Sequence, residues 1–78
     1  MGTIKITMRN SYLHGIQEEF ICSNIDITDL EEIDYCVSEC VGQFLENHED
    51  IFNQLDISYD KWVDSCYYII EEVLSDEL

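Results

Sequence analysis

The chain has no proline and only three basic residues, Lys5, Arg9 and Lys61. Without proline, no position has a locked φ, so element boundaries must come from caps, turn residues and packing. Glycine is scarce as well. Gly2, Gly15 and Gly42 stand far apart, which excludes a glycine-rich phosphate loop. The shortage of bases excludes more. Residues 10 to 60 hold 13 acids and no Lys or Arg. Such a chain has little with which to neutralise phosphates, so direct binding of nucleic acid or of an anionic membrane surface is not expected. No apolar run approaches the roughly 20 residues of a membrane span. The N-terminus also lacks the basic and apolar regions of a signal peptide. A cytoplasmic location is therefore expected, with Cys22, Cys36, Cys40 and Cys66 reduced. The final SDEL is taken as chance similarity to a retrieval tail.

Against three bases stand 18 acids, a net charge of −15. Self-repulsion at this density opposes compaction. An apolar fraction of 46% still supplies one core. A chain of 78 residues makes a single domain, residues 1–78, that buries only about 60–65% of its unfolded surface.

The most informative stretch is Thr28 to Asn47. Leu30, Ile33, Val37, Cys40, Val41 and Phe44 recur at spacings of three and four, one apolar stripe of a helix. Glu31, Glu32, Glu39, Glu46 and Glu49 fall on the other side, with Asp50 next to them. Thr28 followed by Glu31 reads as a capping box, and acids in the first turn suit the helix dipole. Gly42 interrupts the helix on its outer face, at a cost of about 1 kcal/mol relative to Ala. It marks a bend or a close approach by another surface.

Upstream, Thr3 to Arg9 alternates strictly, with Ile4, Ile6 and Met8 on one side, the pattern of a half-buried strand. Asn10 to Gly15 carries turn chemistry. Ile16 to Cys22 returns as a second strand, with Ile16, Phe20 and Cys22 inward. Ser23 to Ile27 is expected to be a connector. Downstream, a short helix places Ile51, Phe52 and Leu55 inward, and Asp56 and Ile57 turn the chain. Ser58 then caps a last helix over 59–74 with the stripe Trp62, Cys66, Ile69, Ile70, Val73 and Leu74. The predicted class is α+β with the order ββααα, an N-terminal β-hairpin followed by two long amphipathic helices with a short one between. Both hairpin edges are open unless covered, so a homodimer through a hairpin edge is one expectation.

Glu71, Glu72, Asp76 and Glu77 crowd the predicted end of the last helix, where the dipole disfavours acids. Either a binding site requires them there, or they reflect the general acidity.

Catalytic and metal chemistry find little footing. Cys36 and Cys40 are four apart on one helix, but Cys22, Cys66, His14 and His48 stand isolated in sequence, so core packing is favoured over zinc. Asp56, Ser58, Asp60 and Asp64 match four positions of a calcium loop, yet Lys61 stands where glycine is required and Tyr67 where the bidentate Glu belongs. Asp64-Ser65 is similar to the Asp-Ser of acyl carrier proteins, but there the serine opens a mid-chain helix of an all-helical bundle. His14 and His48 have no neighbouring nucleophile in sequence. A non-enzymatic protein without cofactor or metal is expected.

A basic partner is the natural complement of the charge. Glu32, Glu39 and Glu46, spaced by seven, repeat about every 10.5 Å along a helix, near every third phosphate of a DNA strand. Tyr35 lies among Glu31, Glu39 and Glu46. Tyr68 lies among Asp64, Glu71 and Glu72 on the predicted last helix, as a second candidate face, and Tyr12 sits in the hairpin turn. Tyrosine among charges is a frequent interface anchor. It also serves to cover the rim of a core.

In size, acidity and acid-studded helix the chain resembles phage-encoded DNA-mimic inhibitors of the anti-CRISPR type. That resemblance implies an inhibitor that occupies the basic DNA-reading cleft of a CRISPR effector in the cytoplasm of the host cell, without catalysis. These inhibitors share no sequence motif, so no residue role is carried over. Two other readings fit: an acidic immunity or antitoxin protein that neutralises a basic nuclease toxin, and a structural or regulatory homodimer.

Overall fold

The computed structural model describes residues 2–73. Two antiparallel strands, β1 (Gly2–Asn10) and β2 (Gln17–Ile25), open the fold. Three helices follow, α1 (Leu30–Asn47), α2 (Glu49–Leu55) and α3 (Tyr59–Ser65), and then a third strand, β3 (Cys66–Val73). The class is α+β, and the order is ββαααβ rather than ββααα. The sheet order is β2-β1-β3, antiparallel throughout. The N-terminal strand is thus the central one.

The hairpin follows its pattern. Ile4, Ile6 and Met8 of β1 are buried and face Cys22, Phe20 and Glu18 of β2 across the ladder. Ile16, just before β2, packs against the core. Gly15 adopts φ +77, a conformation glycine accepts freely. β2 runs on to Ile25 where a connector was expected. The register shifts between Gly2 and Ile4, near Asn24, which adopts φ 59. The irregularity lets the strand continue and bury Ile25.

Helix α1 begins two residues later than its expected cap. Thr28 donates its hydroxyl to Asp26 Oδ1 at 2.6 Å, and its backbone N–H to the same oxygen at 3.0 Å. These bonds hold the Asp26 carboxyl below its ordinary pKa. Asp29 is the N-cap instead, accepting from the Glu31 N–H at 3.0 Å. Leu30 is the first residue of the helix, and it is 75% exposed although its spacing places it in line with Val37. Val37, Cys40, Val41 and Phe44 are buried as the spacing required.

The predicted last helix stops at Ser65. A helix continuing past this point would bring its own N–H groups to the Trp62 and Ser65 carbonyls. Instead, Asn10 Nδ2 donates to Trp62 O at 3.1 Å, and the Ser11 N–H donates to Ser65 O at 3.0 Å. The Cys66 N–H turns back to Val63 O, and the chain extends. Tyr67 to Ile70, β-branched or aromatic, suit the strand that follows. That strand occupies the free edge of β1, in a register running from Thr3 opposite Val73 to Asn10 opposite Cys66. Ser58 caps α3 as expected, accepting from the Lys61 N–H at 3.2 Å. Of the stripe assigned to the longer helix, only Trp62 is buried. Ile69 and Ile70 are exposed, and Leu74 lies outside the described residues.

The core sits between β1–β2 and the helices. Trp62 and Phe44, both fully buried, lie 6.0 Å apart by ring centroids, and Phe52 meets Trp62 edge-on at 5.5 Å. Helix α1 packs on β1 and β2. Strand β3 is an edge whose large side chains Tyr67, Tyr68, Ile69 and Ile70 remain exposed.

Candidate functional site: an acidic ridge and its underside

Every acid in residues 2–73 is exposed except Glu18 and Glu32, which are half-buried. Glu31, Tyr35, Glu39 and Glu46 occupy the outer side of α1, opposite the face that buries Val37 and Phe44. The chain bends at His48, and Glu49 and Asp50 open α2. The ridge therefore continues from one helix into the next. Among the described residues, Lys5 and Glu71 form an ion pair at 3.7 Å, and a Glu18 oxygen lies 2.7 Å from His48. Neither involves a ridge carboxylate. Glu32, expected in the same row, is drawn partly inward beside Cys36, whose thiol it helps to keep protonated.

Tyr35 stands 65% exposed in the middle of the ridge. Glu39, one turn on, favours the protonated phenol and raises the Tyr35 pKa above its ordinary value.

The direction of α1 is set by a polar clamp. Glu18 projects from the core face of β2. Its Oε2 accepts from Asn47 Nδ2 at 2.7 Å, and its Oε1 lies 2.7 Å from His48 Nε2, off the N–H direction. Gln43 Nε2 donates to Asn47 Oδ1 at 3.0 Å, and His48 meets Phe44 edge-on at 5.0 Å. The hairpin thus holds the C-terminal turn of the acidic helix in place.

The second candidate face separates. Asp64 stays on α3, but Tyr68, Glu71 and Glu72 belong to β3, where successive residues point to opposite sides. Tyr68 and Glu72 lie on the helix side, opposite Met8 and Ile4, while Glu71 lies on the open side and pairs with Lys5. No single helical surface unites these four. The open side of the sheet places Lys5, Thr7 and Arg9 of β1 between Ile21 and Glu19 of β2 and Tyr67, Ile69 and Glu71 of β3. It mixes apolar side chains with both charge signs, unlike the ridge.

The remaining candidates are dispersed. Tyr12 is half-buried in the hairpin turn, where its N–H donates to Asn10 Oδ1 at 2.8 Å. His14 is exposed there, beside a hollow of about 540 Å³ lined by Arg9, Gln17 and Tyr67 among others. Ser65 donates its hydroxyl to Lys61 O at 2.8 Å and closes α3 rather than opening a helix. Of the calcium-loop residues, Asp56 is the left-handed end of α2, Ser58 caps α3, and Asp60 and Asp64 lie within α3. Among the described residues, no three His, Cys, Asp or Glu side chains are arranged to hold a metal ion.

One grouping had no signal in the sequence. Cys22 is not isolated. It lies on the face of β2 turned toward α1, near enough to Cys36 and Cys40 that its thiol helps to raise the pKa of both. The three line one groove of about 500 Å³ with Phe20, Gly42 and Glu46. Burial is the largest cause of a raised pKa at both helix thiols, and it pushes Cys40 up to about 12. Cys66 lies apart, beside Asn10 Nδ2 at 3.2 Å.

No family model, curated protein or solved structure matches this chain.

Proposed function

We propose that the protein is a non-enzymatic inhibitor that presents the α1–α2 ridge to a basic nucleic-acid-binding cleft and keeps DNA out of it. A CRISPR effector is the first candidate target. The observation that carries this reading is the ridge itself. Glu31, Glu39, Glu46, Glu49 and Asp50 are exposed on adjoining helices, and no Lys or Arg of the described residues pairs with them. Carboxylates held on helices substitute for backbone phosphates by accepting charge-assisted hydrogen bonds from Lys and Arg. Tyr35, exposed among these acids, adds an aromatic at the centre. Opposite fields also speed the encounter.

The experiment is affinity capture from host lysate with and without excess duplex DNA. A basic nucleic-acid enzyme captured alone and displaced by DNA supports occlusion. A partner retained despite DNA refutes occlusion of a DNA cleft and leaves the neutralisation of a nuclease toxin at another surface.

A homodimer is the second reading. Exposed Ile21, Tyr67 and Ile69 on the open side of the sheet, and the outer edges of β2 and β3, which pair with no further strand among the described residues, favour it. Light scattering that reports a monomer up to high micromolar concentration rules it out.

A further inference from the structure

We propose that Cys22 and Cys36 form a reversible disulfide that staples β2 to α1 when the protein meets a small neutral hydroperoxide. The observation is the convergence of thiols from two elements on one groove. Cys22 faces α1 from β2, and Cys36 and Cys40 face it from successive turns of α1. Side chains four apart on a helix keep their Cβ atoms about 5–6 Å from each other, whereas a disulfide needs about 3.5–4.5 Å. Cys36 and Cys40 are therefore poor partners for one another, and Cys22 must be one member of the pair. A metal would require three sulfurs aimed at one point, an arrangement that the described residues do not show. A disulfide requires only two sulfurs in contact.

Access selects Cys36 over Cys40. Cys22 and Cys36 are half-buried at the groove, while Cys40 is 5% exposed. Cys66 is remote, held beside Asn10. Charge selects the oxidant. Glu39 and Glu46 line the same groove and repel anionic disulfides such as oxidised glutathione, but not hydrogen peroxide. Burial, the neighbouring thiol and nearby Glu32 and Glu39 keep Cys36 protonated, so the dithiol is the resting form and oxidises only under sustained exposure.

The step balances. One thiol releases its proton, and its sulfur attacks a peroxide oxygen. The O–O bond breaks and one water leaves, giving a sulfenic acid. The second sulfur attacks the first, the S–O bond breaks, and a second water carries off the remaining thiol proton. Two thiols lose two protons and two electrons, and one hydrogen peroxide becomes two waters.

The test treats the folded full-length protein with hydrogen peroxide and blocks remaining thiols with N-ethylmaleimide. Intact mass and peptide mapping follow. The expected product has lost two hydrogens, carries a Cys22–Cys36 cross-link and two alkylated cysteines, and reverts with dithiothreitol. Its Tm rises by on the order of 10–20 °C, since the bond closes a short loop in the unfolded chain. Cys40→Ser and Cys66→Ser retain the cross-link, and Cys36→Ser loses it. Four alkylated cysteines after peroxide, sulfinic acid in place of the bond, an intermolecular dimer or a Cys22–Cys40 link would each overturn the assignment. The wild-type map decides the matter even where a variant fails to fold.

Discussion

Asn10 reaches across the fold to Trp62. Its Nδ2 donates to the Trp62 carbonyl at 3.1 Å, joining the end of the central strand to the short helix that precedes the edge strand. The same side chain receives the Tyr12 N–H at 2.8 Å, and only 2% of the residue is exposed. One buried amide therefore fixes the hairpin turn and ends a helix.

Replacing Asn10 by Leu should cost about 2–4 kcal/mol, since it leaves the Trp62 carbonyl and the Tyr12 N–H without partners in a buried place. Urea denaturation followed by circular dichroism measures this. A loss below about 0.5 kcal/mol would mean that water replaces the amide at little cost.

Gly42→Ala should stabilise the free protein by about 0.5–1 kcal/mol. The glycine lies within α1, and an added Cβ meets nothing within 4 Å. The same variant probes the ridge side of the groove. Stability gained together with affinity lost would identify Gly42 as a place where a partner comes close.

Glu39→Lys with Glu46→Lys should weaken inhibition of the target at least tenfold, about 1.4 kcal/mol, and leave the far-ultraviolet spectrum unchanged. Both residues are exposed, and neither belongs to the core or to an ion pair of the described residues. Unchanged inhibition would make the ridge a solvated surface only.

Added salt should raise the Tm through screening of the net charge of −15. Scans from low to about 0.5 M sodium chloride check this, and a Tm independent of salt would contradict it.

Alkaline pH should destabilise the fold partly through Cys40. The buried thiol is pushed from 9.0 up to about 12, so the folded state holds its proton more tightly than the unfolded chain. The contribution is complete below pH 9 and is lost as pH rises toward about 12. Cys40→Ala should lose stability less steeply across that window than the wild type, whatever its own starting stability. Parallel slopes would show that other groups carry the effect.

The elements fixed by local pattern were legible in the sequence. Strict alternation placed Ile4, Ile6 and Met8 in the core, and helical spacing did the same for Val37, Cys40, Val41 and Phe44. Ser58 announced its helix. Where two local signals competed, the wrong one was chosen. Thr28 and Asp29 are both good caps, and Asp26 decided between them by engaging Thr28. The segment Cys66–Val73 satisfies helical spacing as well as β propensity. The deciding facts were remote, namely the empty edge of β1 and the claims of Asn10 and Ser11 on the last carbonyls of α3. The ridge was legible because exposed acids on one helix face follow from spacing alone. The thiol cluster was not, because only folding β2 over α1 brings Cys22 to Cys36 and Cys40.

The strand order has a kinetic consequence. β1 is synthesised before the other described elements, yet its second neighbour is the last of them, with Thr3 opposite Val73. The hairpin can close early, because its contacts are local. The other flank of β1 must wait until all three helices have left the ribosome, and the long loop to β3 makes that closure entropically slow. During this interval one backbone edge of β1 stands unpaired, open to a strand of another chain.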